Sequence, residues 1–444
     1  MIPNIQRTRG HLLRVLGFGF GLAVIIGNTI GGGIFRAPGT IAQHLPQMWL
    51  YLGVWLTAGL YAFLGALSLA ELGAMIPRSG GQYAFARYAL SEYAGFIVGW
   101  SDWISTCGSA AAIALVVGSF MGGLFPVFSG PTSAIVTACW MTVLFVLLQW
   151  RGIVIGGTTQ NVTSLLKAVA FVTLIAAAFL LGGNGSLGGQ SPREAPLSIG
   201  LAAGIILSLQ AAIYAYDGWT GVIYFSEEVK NPGKDIPRSM IGGVLSIIAI
   251  YLLVNLALLF VLPISQIAGK EFAAGEAANV LFGRHGDTVF RSLTIISLLS
   301  AINACHLMSS RVLFAMSRDG LFFSQASQVN KGGTPSVALF LGAVVTLVLI
   351  VFGQTFEKLI TILSFFFVAS YALSFISVFV LRRREPLKER PYRAWGYPWT
   401  TGLALIGSVA FLAGAIASDT LNSLYALALL AVSYPVFKLL KRTQ

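Results

Sequence analysis

Apolar runs of about twenty residues recur twelve times along this 444-residue chain, and that recurrence limits its fold more than any other feature. A run of that length crosses the hydrocarbon layer of a bilayer as one helix. In lipid every backbone N–H and C=O must be paired within the chain, so helices and closed barrels are the only spanning forms. The runs cover 15–44, 48–75, 93–121, 131–150, 162–182 and 198–228 in the first half. In the second half they cover 239–262, 288–316, 336–354, 357–381, 399–417 and 421–438. The expected class is an all-α polytopic membrane protein with 12 transmembrane helices. With 56% hydrophobic and only 10% charged residues, a soluble enzyme is excluded.

The net charge of +12 would suggest nucleic acid in a soluble chain, but its placement gives another answer. With the N-terminus inside and the helices alternating, Arg193, Lys270, Arg284, Arg291 and Lys358 lie outside, and Arg36 and Lys167 lie within spans. The other 21 of the 28 Lys and Arg then fall on the cytoplasmic side. Such asymmetry sets orientation. It predicts cytoplasmic termini at 1–14 and 439–444, a cell membrane (plasma or inner membrane) location and no nucleic-acid partner. His11–Phe20 contains Arg14 and runs straight into the first span, so no cleavable signal is expected. Cys107, Cys139 and Cys305 all fall in apolar segments and read as small packing residues rather than a disulfide or metal framework.

Two of the spans are interrupted. Ile26-Gly27-Asn28-Thr29-Ile30-Gly31-Gly32-Gly33-Ile34-Phe35 places four glycines in seven residues inside the first. Each costs roughly 1 kcal/mol in a helix relative to alanine. Broken backbone at bilayer depth is tolerated only where it lines a cavity or holds a ligand. Bare amides at a half-helix N-terminus favour an anion, which reads as a backbone pocket for a carboxylate. The competing reading is a small-residue face for close helix packing. The sixth span carries a second break in Gln210-Ala211-Ala212-Ile213-Tyr214-Ala215-Tyr216-Asp217-Gly218-Trp219-Thr220. Matching breaks in two halves point to an inverted-repeat secondary transporter. The repeats would be 15–182 and 198–381, with 399–438 appended. Facing breaks supply amides for a carboxylate and free carbonyls for an ammonium, which together describe an α-amino acid.

The order of short motifs now carries a resemblance. These are Ile26-Gly27…Ile30-Gly31-Gly32-Gly33-Ile34-Phe35, Ala70-Glu71-Leu72…Pro77-Arg78-Ser79-Gly80-Gly81-Gln82-Tyr83, Tyr216-Asp217-Gly218-Trp219…Glu227-Glu228…Asn231-Pro232, Ser309-Ser310-Arg311…Ser317-Arg318-Asp319-Gly320 and Arg390-Pro391-Tyr392-Arg393. Together they resemble the amino acid–polyamine–organocation superfamily of permeases, closest to its L-amino-acid transporter branch. The resemblance implies the five-plus-five inverted repeat of the LeuT-type fold with helices 1 and 6 broken. It also implies exchange or proton-linked uptake of amino acids, without a cofactor. By position, the amides of Gly31, Gly32 and Gly33 would hold the carboxylate of an L-amino acid. Carbonyls near Asn28, Thr29, Tyr214, Ala215 and Asp217, beside Gly218, would hold its ammonium, and Tyr214 would gate the site. Relatives often carry serine at the position of Gly32, so a hydroxyl contact is missing here.

Lys167 is the one lysine deep in a span, at a cost of about 2.5–3.5 kcal/mol if unpaired. It either snorkels to the cytoplasmic interface or, as the resemblance implies, replaces a sodium ion and braces helix 1 against helix 8. That second role predicts sodium-independent transport. Asp217 either faces the substrate, as an aspartate does in related exchangers of cationic amino acids and cystine, or accepts hydrogen bonds from unwound amides. The first alternative favours arginine or lysine, the second small or medium neutral amino acids. Asp102 and Glu71 are expected to pair with Arg311 or Arg318, Arg36 to face the external vestibule or snorkel, and His306 to pack. The external stretch 263–287, with a short helix near 271–281, suggests a lid. No H-E-x-x-H, G-x-S-x-G or repeated filter sequence marks an enzyme or a channel. A sensor built on this fold would have the same sequence features. Relatives that pair with a glycoprotein heavy chain carry a cysteine between helices 3 and 4. The loop Gly122–Gly130 has none, so a stand-alone protein is expected.

Overall fold

The structure is a computed structural model that describes residues 12, 14–183, 185–187, 200–353 and 355–442. Arg7, Arg9, Arg193 and most of the external loop at 183–192 fall outside them. Twelve helical spans long and apolar enough to cross a bilayer account for most of the described chain, and no β-strand forms among the described residues.

The first span is two helices, α1 (Phe18–Thr29) and α2 (Gly32–His44), separated at Ile30-Gly31. Then come α3 (Met48–Met75), the short interfacial α4 (Gln82–Ala89), α5 (Glu92–Leu124), α6 (Pro131–Trp150) and α7 (Ile153–Leu181). The sixth span is α8 (Leu201–Tyr216), a turn at 217–220 and a 3-10 turn at Gly221–Phe225. Next are α9 (Pro232–Val261), the short helices α10 (Ile264–Ile267) and α11 (Ala273–Phe282), and α12 (Gly286–Arg318). The chain closes with α13 (Ser336–Gly353), α14 (Phe356–Arg384), α15 (Trp399–Ser418) and α16 (Thr420–Arg442).

Two starts differ from the hydropathy reading. The fifth span begins at Ile153 rather than 162, and the seventh at Pro232 rather than 239. α9 opens on the polar stretch 232–238, and α7 carries the glycines and polar residues of 156–161 after Ile153-Val154-Ile155; a helix keeps its backbone bonds through such turns, which an apolar count ignores. The second half of the sixth span also differs, because it closes as a 3-10 turn instead of continuing as an α-helix. The expected external helix is present as α11, preceded by α10.

α5 packs along α12, and α3 along α9, more extensively than any other pair. Between these pairs, α1 lies against α7, α9 and α12, and α2 lies against α8. The glycines decide how close the central contacts are. A Cβ on Gly33 would sit 2.4 Å from the Cα of Ala215, and one on Gly27 would sit 1.8 Å from Nε2 of Gln160. Gly218 has φ +112°, and a Cβ there would meet Asn28 Nδ2 at 2.6 Å and the Thr29 amide nitrogen at 2.8 Å. Only glycine lets the two breaks cross at this distance. Close packing governs Gly33, and open backbone is left beside it. Leu165, Leu166, Val169 and Val172 on α7 and Leu403, Ile406 and Val409 on α15 are exposed, as a lipid-facing surface requires.

Candidate functional site

The two breaks meet around a small closed cavity lined by Asn28, Thr29, Gly31, Gly32, Gly33, Ser109, Ile113, Tyr214, Asp217 and Cys305. The space left among them is about 20 Å³, close to the room one water molecule occupies. A larger occupant requires these walls to draw apart.

Gly32 and Gly33 open α2, so their amides lack intrahelical acceptors and stand at the positive end of its dipole. The Gly31 amide is different. It donates to the Thr29 carbonyl at 2.8 Å, closing a tight turn across the break. Of the three amides expected to cradle a carboxylate, one is thus already engaged. On the other side of the break, α1 ends with orphan carbonyls that protein side chains meet. Lys167 Nζ donates to Gly27 O at 2.8 Å and also to Ile30 O. The Tyr251 hydroxyl lies 2.6 Å from Thr29 O and 2.8 Å from Ala215 O, joining the two broken spans. Of the carbonyls expected to receive an ammonium, Thr29 O therefore already meets both the Gly31 amide and the Tyr251 hydroxyl, and Ala215 O shares that hydroxyl's one proton. Ala215 and Gly218, both expected at the site, do not line the cavity; they pack behind it, on Gly33 and on Asn28 and Thr29.

Lys167 does not snorkel. It lies four turns into α7, 1% exposed, with its ammonium on α1. Among the described residues its ammonium bonds reach the first span, and the link to the eighth is made by its neighbours. Ser164 Oγ donates to Ala23 O at 2.9 Å, and Gln160 Nε2 donates to Ser300 Oγ at 3.1 Å. Asn303 Nδ2 in turn donates to Gln160 Oε1 at 3.1 Å. A polar layer on α7 thus ties α1 to α12.

Asp217 caps α8 and borders the cavity, and its Oδ1 accepts a hydrogen bond from the Tyr371 hydroxyl on α14. Tyr371 is itself held against Trp219, with ring centroids 4.9 Å apart. The carboxylate's hydrogen-bond partner is therefore a side chain from the tenth span rather than the unwound amides alone. Tyr214 packs edge-on against Phe356 at 5.5 Å. Arg36 lies 5.5 Å over the other side of that ring system and pairs with Glu271 at 3.4 Å. Arg36 is 9% exposed, so it seals the site from the side of α10 and α11 instead of facing an open vestibule.

The opposite side is closed by ion pairs. Arg311 and Glu228, both fully buried, meet through two bonds of 3.1 and 3.3 Å. Arg318 binds Glu227. Leu16 and the Glu228–Lys230 strand segment exchange backbone bonds of 2.8 Å each way, pinning the lead-in to α1. The expected pairing of Asp102 and Glu71 with Arg311 or Arg318 is corrected here. Asp102 accepts from the Tyr224 hydroxyl at 2.6 Å, while Glu71 binds Arg382 at 2.6 Å and Arg390 at 3.0 Å. Glu227 and Glu228 are nearer to both arginines once the loop after the sixth span folds back. His306 is buried, with no hydrogen bond to either ring nitrogen among the described residues, as a packing residue would be. No group of three or more His, Cys, Asp or Glu suited to a metal occurs among the described residues.

Sequence reading missed Tyr251, Tyr371, Ser109, Ile113 and Cys305. Two of these carried a signal. Tyr251 and Tyr371 stand mid-span, where a hydroxyl in lipid requires a partner. Cys305 is more than a small packer, because its thiol donates to Asn28 Oδ1 at 3.3 Å.

The amino acid permease family model matches residues 18–434. The serine/threonine exchanger SteT of Bacillus subtilis is 31% identical over 438 residues, covering 97% of this chain and 98% of that protein. The human b(0,+)-type amino acid transporter 1 is 26% identical over 402 residues, 88% of this chain and 81% of its own length. The mouse Asc-type amino acid transporter 1 is 28% identical over 405 residues, 87% and 73% respectively.

Proposed function

The chain belongs to the amino acid permease family, and from that premise we propose that it exchanges small neutral L-amino acids across a cell membrane by alternating access. The carrying observation is the cavity closed between two helix breaks. It has the Gly32 and Gly33 amides at one end and small walls from Ser109, Ile113 and Cys305, under a Tyr214–Phe356 lid. An N-terminal pair of amides suits a carboxylate, and the carbonyls at the opposing break suit an ammonium, with the Tyr251 hydroxyl giving way where it now meets Thr29 O. The similarity to a serine/threonine exchanger over nearly the full length of both chains supports small neutral substrates.

Substrate entry is proposed to separate one closed side at a time. Parting of Arg36–Glu271 and Tyr214–Phe356 would open the face bearing α10 and α11. Parting of Glu228–Arg311 and the Leu16 ladder would open the other. The excess of Lys and Arg on that second face, 21 of the 28 in the chain, supports assigning it and both termini to the cytoplasm. We take residues 15–182 and 198–381 as the two repeats, with α15 and α16 appended. Transport is proposed to be independent of sodium, since the Lys167 ammonium already lies on the Gly27 and Ile30 carbonyls where a bound cation would otherwise serve. Heavy-chain pairing is not expected, because Gly122–Gly130 carries no cysteine. One observation favours a second reading, a cationic substrate: Asp217 borders the cavity and shares one oxygen with Tyr371.

The test is uptake of labelled serine into proteoliposomes preloaded with each of twenty amino acids, with sodium or choline outside. Saturable uptake driven by internal small neutral amino acids, equal in both salts, is expected. Flux driven by arginine or lysine alone selects the second reading, and binding without flux would make the protein a sensor.

A further inference from the structure

On the face assigned to the cytoplasm, a cavity of about 640 Å³ lies beside the lead-in to α1, far from the helix breaks. Its walls come from three stretches distant in sequence: Arg14, the Lys230–Arg238 segment that opens α9, and Pro391-Tyr392 from the α14–α15 loop. Four of its lining residues are cations, Arg14, Lys230, Lys234 and Arg238, and no acidic residue lines it. All four are exposed, and none makes an ion pair among the described residues. Several other cations on this face are matched by carboxylates. Arg311 and Arg318 are matched by Glu228 and Glu227, Arg382 and Arg390 by Glu71, and Lys388 by Glu385.

Like charges repel, so four cations held around one concavity raise its affinity for an anion. The fold also holds the cluster in place. Arg14 Nε donates to Val229 O at 3.2 Å, which leaves its terminal nitrogens to other acceptors. Gly233 lets the α14–α15 loop close over the site, since a Cβ there would lie 3.0 Å from Pro391. Depth narrows the class of anion. α9 has 30 residues, about 45 Å at 1.5 Å per residue against a hydrocarbon layer of about 30 Å. Its first turns, which carry Lys234 and Arg238, thus stand at headgroup level.

We propose that this cavity binds a phosphate-bearing anion, at the depth where the headgroup of an acidic phospholipid lies. Arginine and lysine together suit a phosphate, one offering paired donors and the other a point charge. An occupant would touch both Arg14, ahead of α1, and the α9 cations, and so add to the Leu16 ladder that keeps this side closed.

The test uses delipidated full-length protein in detergent, with native mass spectrometry and melting temperature as readouts. It is titrated with short-chain phosphatidylglycerol, short-chain phosphatidylcholine and inorganic phosphate. Wild type is compared with the triple variant Lys230→Gln, Lys234→Gln and Arg238→Gln, with the single variant Lys234→Glu, and with the control Arg151→Gln, Lys331→Gln on another loop of the same face. Binding of phosphatidylglycerol at least about tenfold tighter than phosphatidylcholine is expected in wild type and control. Loss of that preference in the triple variant, and weakening in Lys234→Glu, is expected from the charges removed. Binding of inorganic phosphate that is lost in the same variants supports the site with a soluble anion as its source. Equal anion binding by wild type and triple variant, or equal loss in the control, overturns the proposal. The readouts do not involve amino acid flux, so failure of the transport reading leaves this test intact.

Discussion

Replacing each glycine of the first break by alanine separates the roles that share this stretch. A Cβ on Gly33 would stand 2.4 Å from the Cα and 3.1 Å from the amide nitrogen of Ala215, both backbone atoms of α8. Carbon atoms pack best at about 3.5–4.0 Å, so α2 and α8 would have to part by more than 1 Å. Overpacking of this kind costs about 1–3 kcal/mol, a shift of about 5- to 150-fold in the native population. A Cβ on Gly32 meets the edge of the Phe356 ring at 3.1 Å, which a side chain relieves by turning slightly. Gly31 is extended, with φ −124°, and its Cβ would find its nearest neighbour at an ordinary 3.4 Å. The expected order of damage is therefore Gly33→Ala, then Gly32→Ala, with Gly31→Ala close to wild type in melting temperature. Binding should follow another order. Gly32→Ala should weaken substrate more than its small loss of stability explains, because the methyl group stands beside a free amide. Melting curves in detergent and scintillation proximity binding measure the two orders. Equal melting temperatures for Gly33→Ala and Gly31→Ala would refute the packing account.

Four further substitutions probe the side chains around the breaks and the ion pair that closes one side. Lys167→Ala strands the Gly27 and Ile30 carbonyls; at about 1–3 kcal/mol for each unpaired group, exchange and thermal stability should both fall, and unchanged flux would remove its bracing role. Tyr251→Phe deletes the hydroxyl shared by Thr29 O and Ala215 O, so uptake should drop with little loss of expression; wild-type uptake would show that the bridge is dispensable. Arg311→Met leaves Glu228 buried and unpaired, at about 3–5 kcal/mol, and adding Glu228→Gln should restore part of the lost melting temperature. If the double variant is no more stable than the single, the pair is not what closes that side. Asp217→Asn discriminates substrate class: serine and arginine uptake falling in parallel fits a bracing role through Tyr371, whereas selective loss of arginine uptake overturns the neutral-substrate proposal.

The site is closed on both sides by unlike means. On the face with α10 and α11, an aromatic lid of Tyr214 and Phe356 is backed by the ion pair Arg36–Glu271, whose arginine is buried but whose carboxylate is open to water. On the other, the Arg311–Glu228 pair is fully buried and doubly bonded. Exposed pairs contribute little, about 0–1 kcal/mol, while breaking a buried one is costly. The aromatic side is expected to part more readily.

Much of the architecture was present in the sequence because lipid makes backbone rules strict. Twelve apolar runs had to become helices, and Ile30-Gly31 and Asp217–Thr220 had to be breaks lining something, because no water could otherwise satisfy their backbone. Hydropathy also located Lys167 and Asp217 as charges requiring partners. It could not say which partners. Lys167 reached the end of α1 instead of the interface because α7 begins nine residues earlier than its apolar run, which buries the lysine four turns deep. Glu71 found Arg382 and Arg390, more than 300 positions away, because α3 and α14 end side by side. Gly33 proved a packing residue because Ala215 lies across from it, although its sequence context is the same as that of Gly32. Periodicity and hydropathy describe one segment and its solvent. Which hydroxyl, carboxylate or methyl group stands opposite depends on how twelve helices cross, and only the tertiary structure decides that.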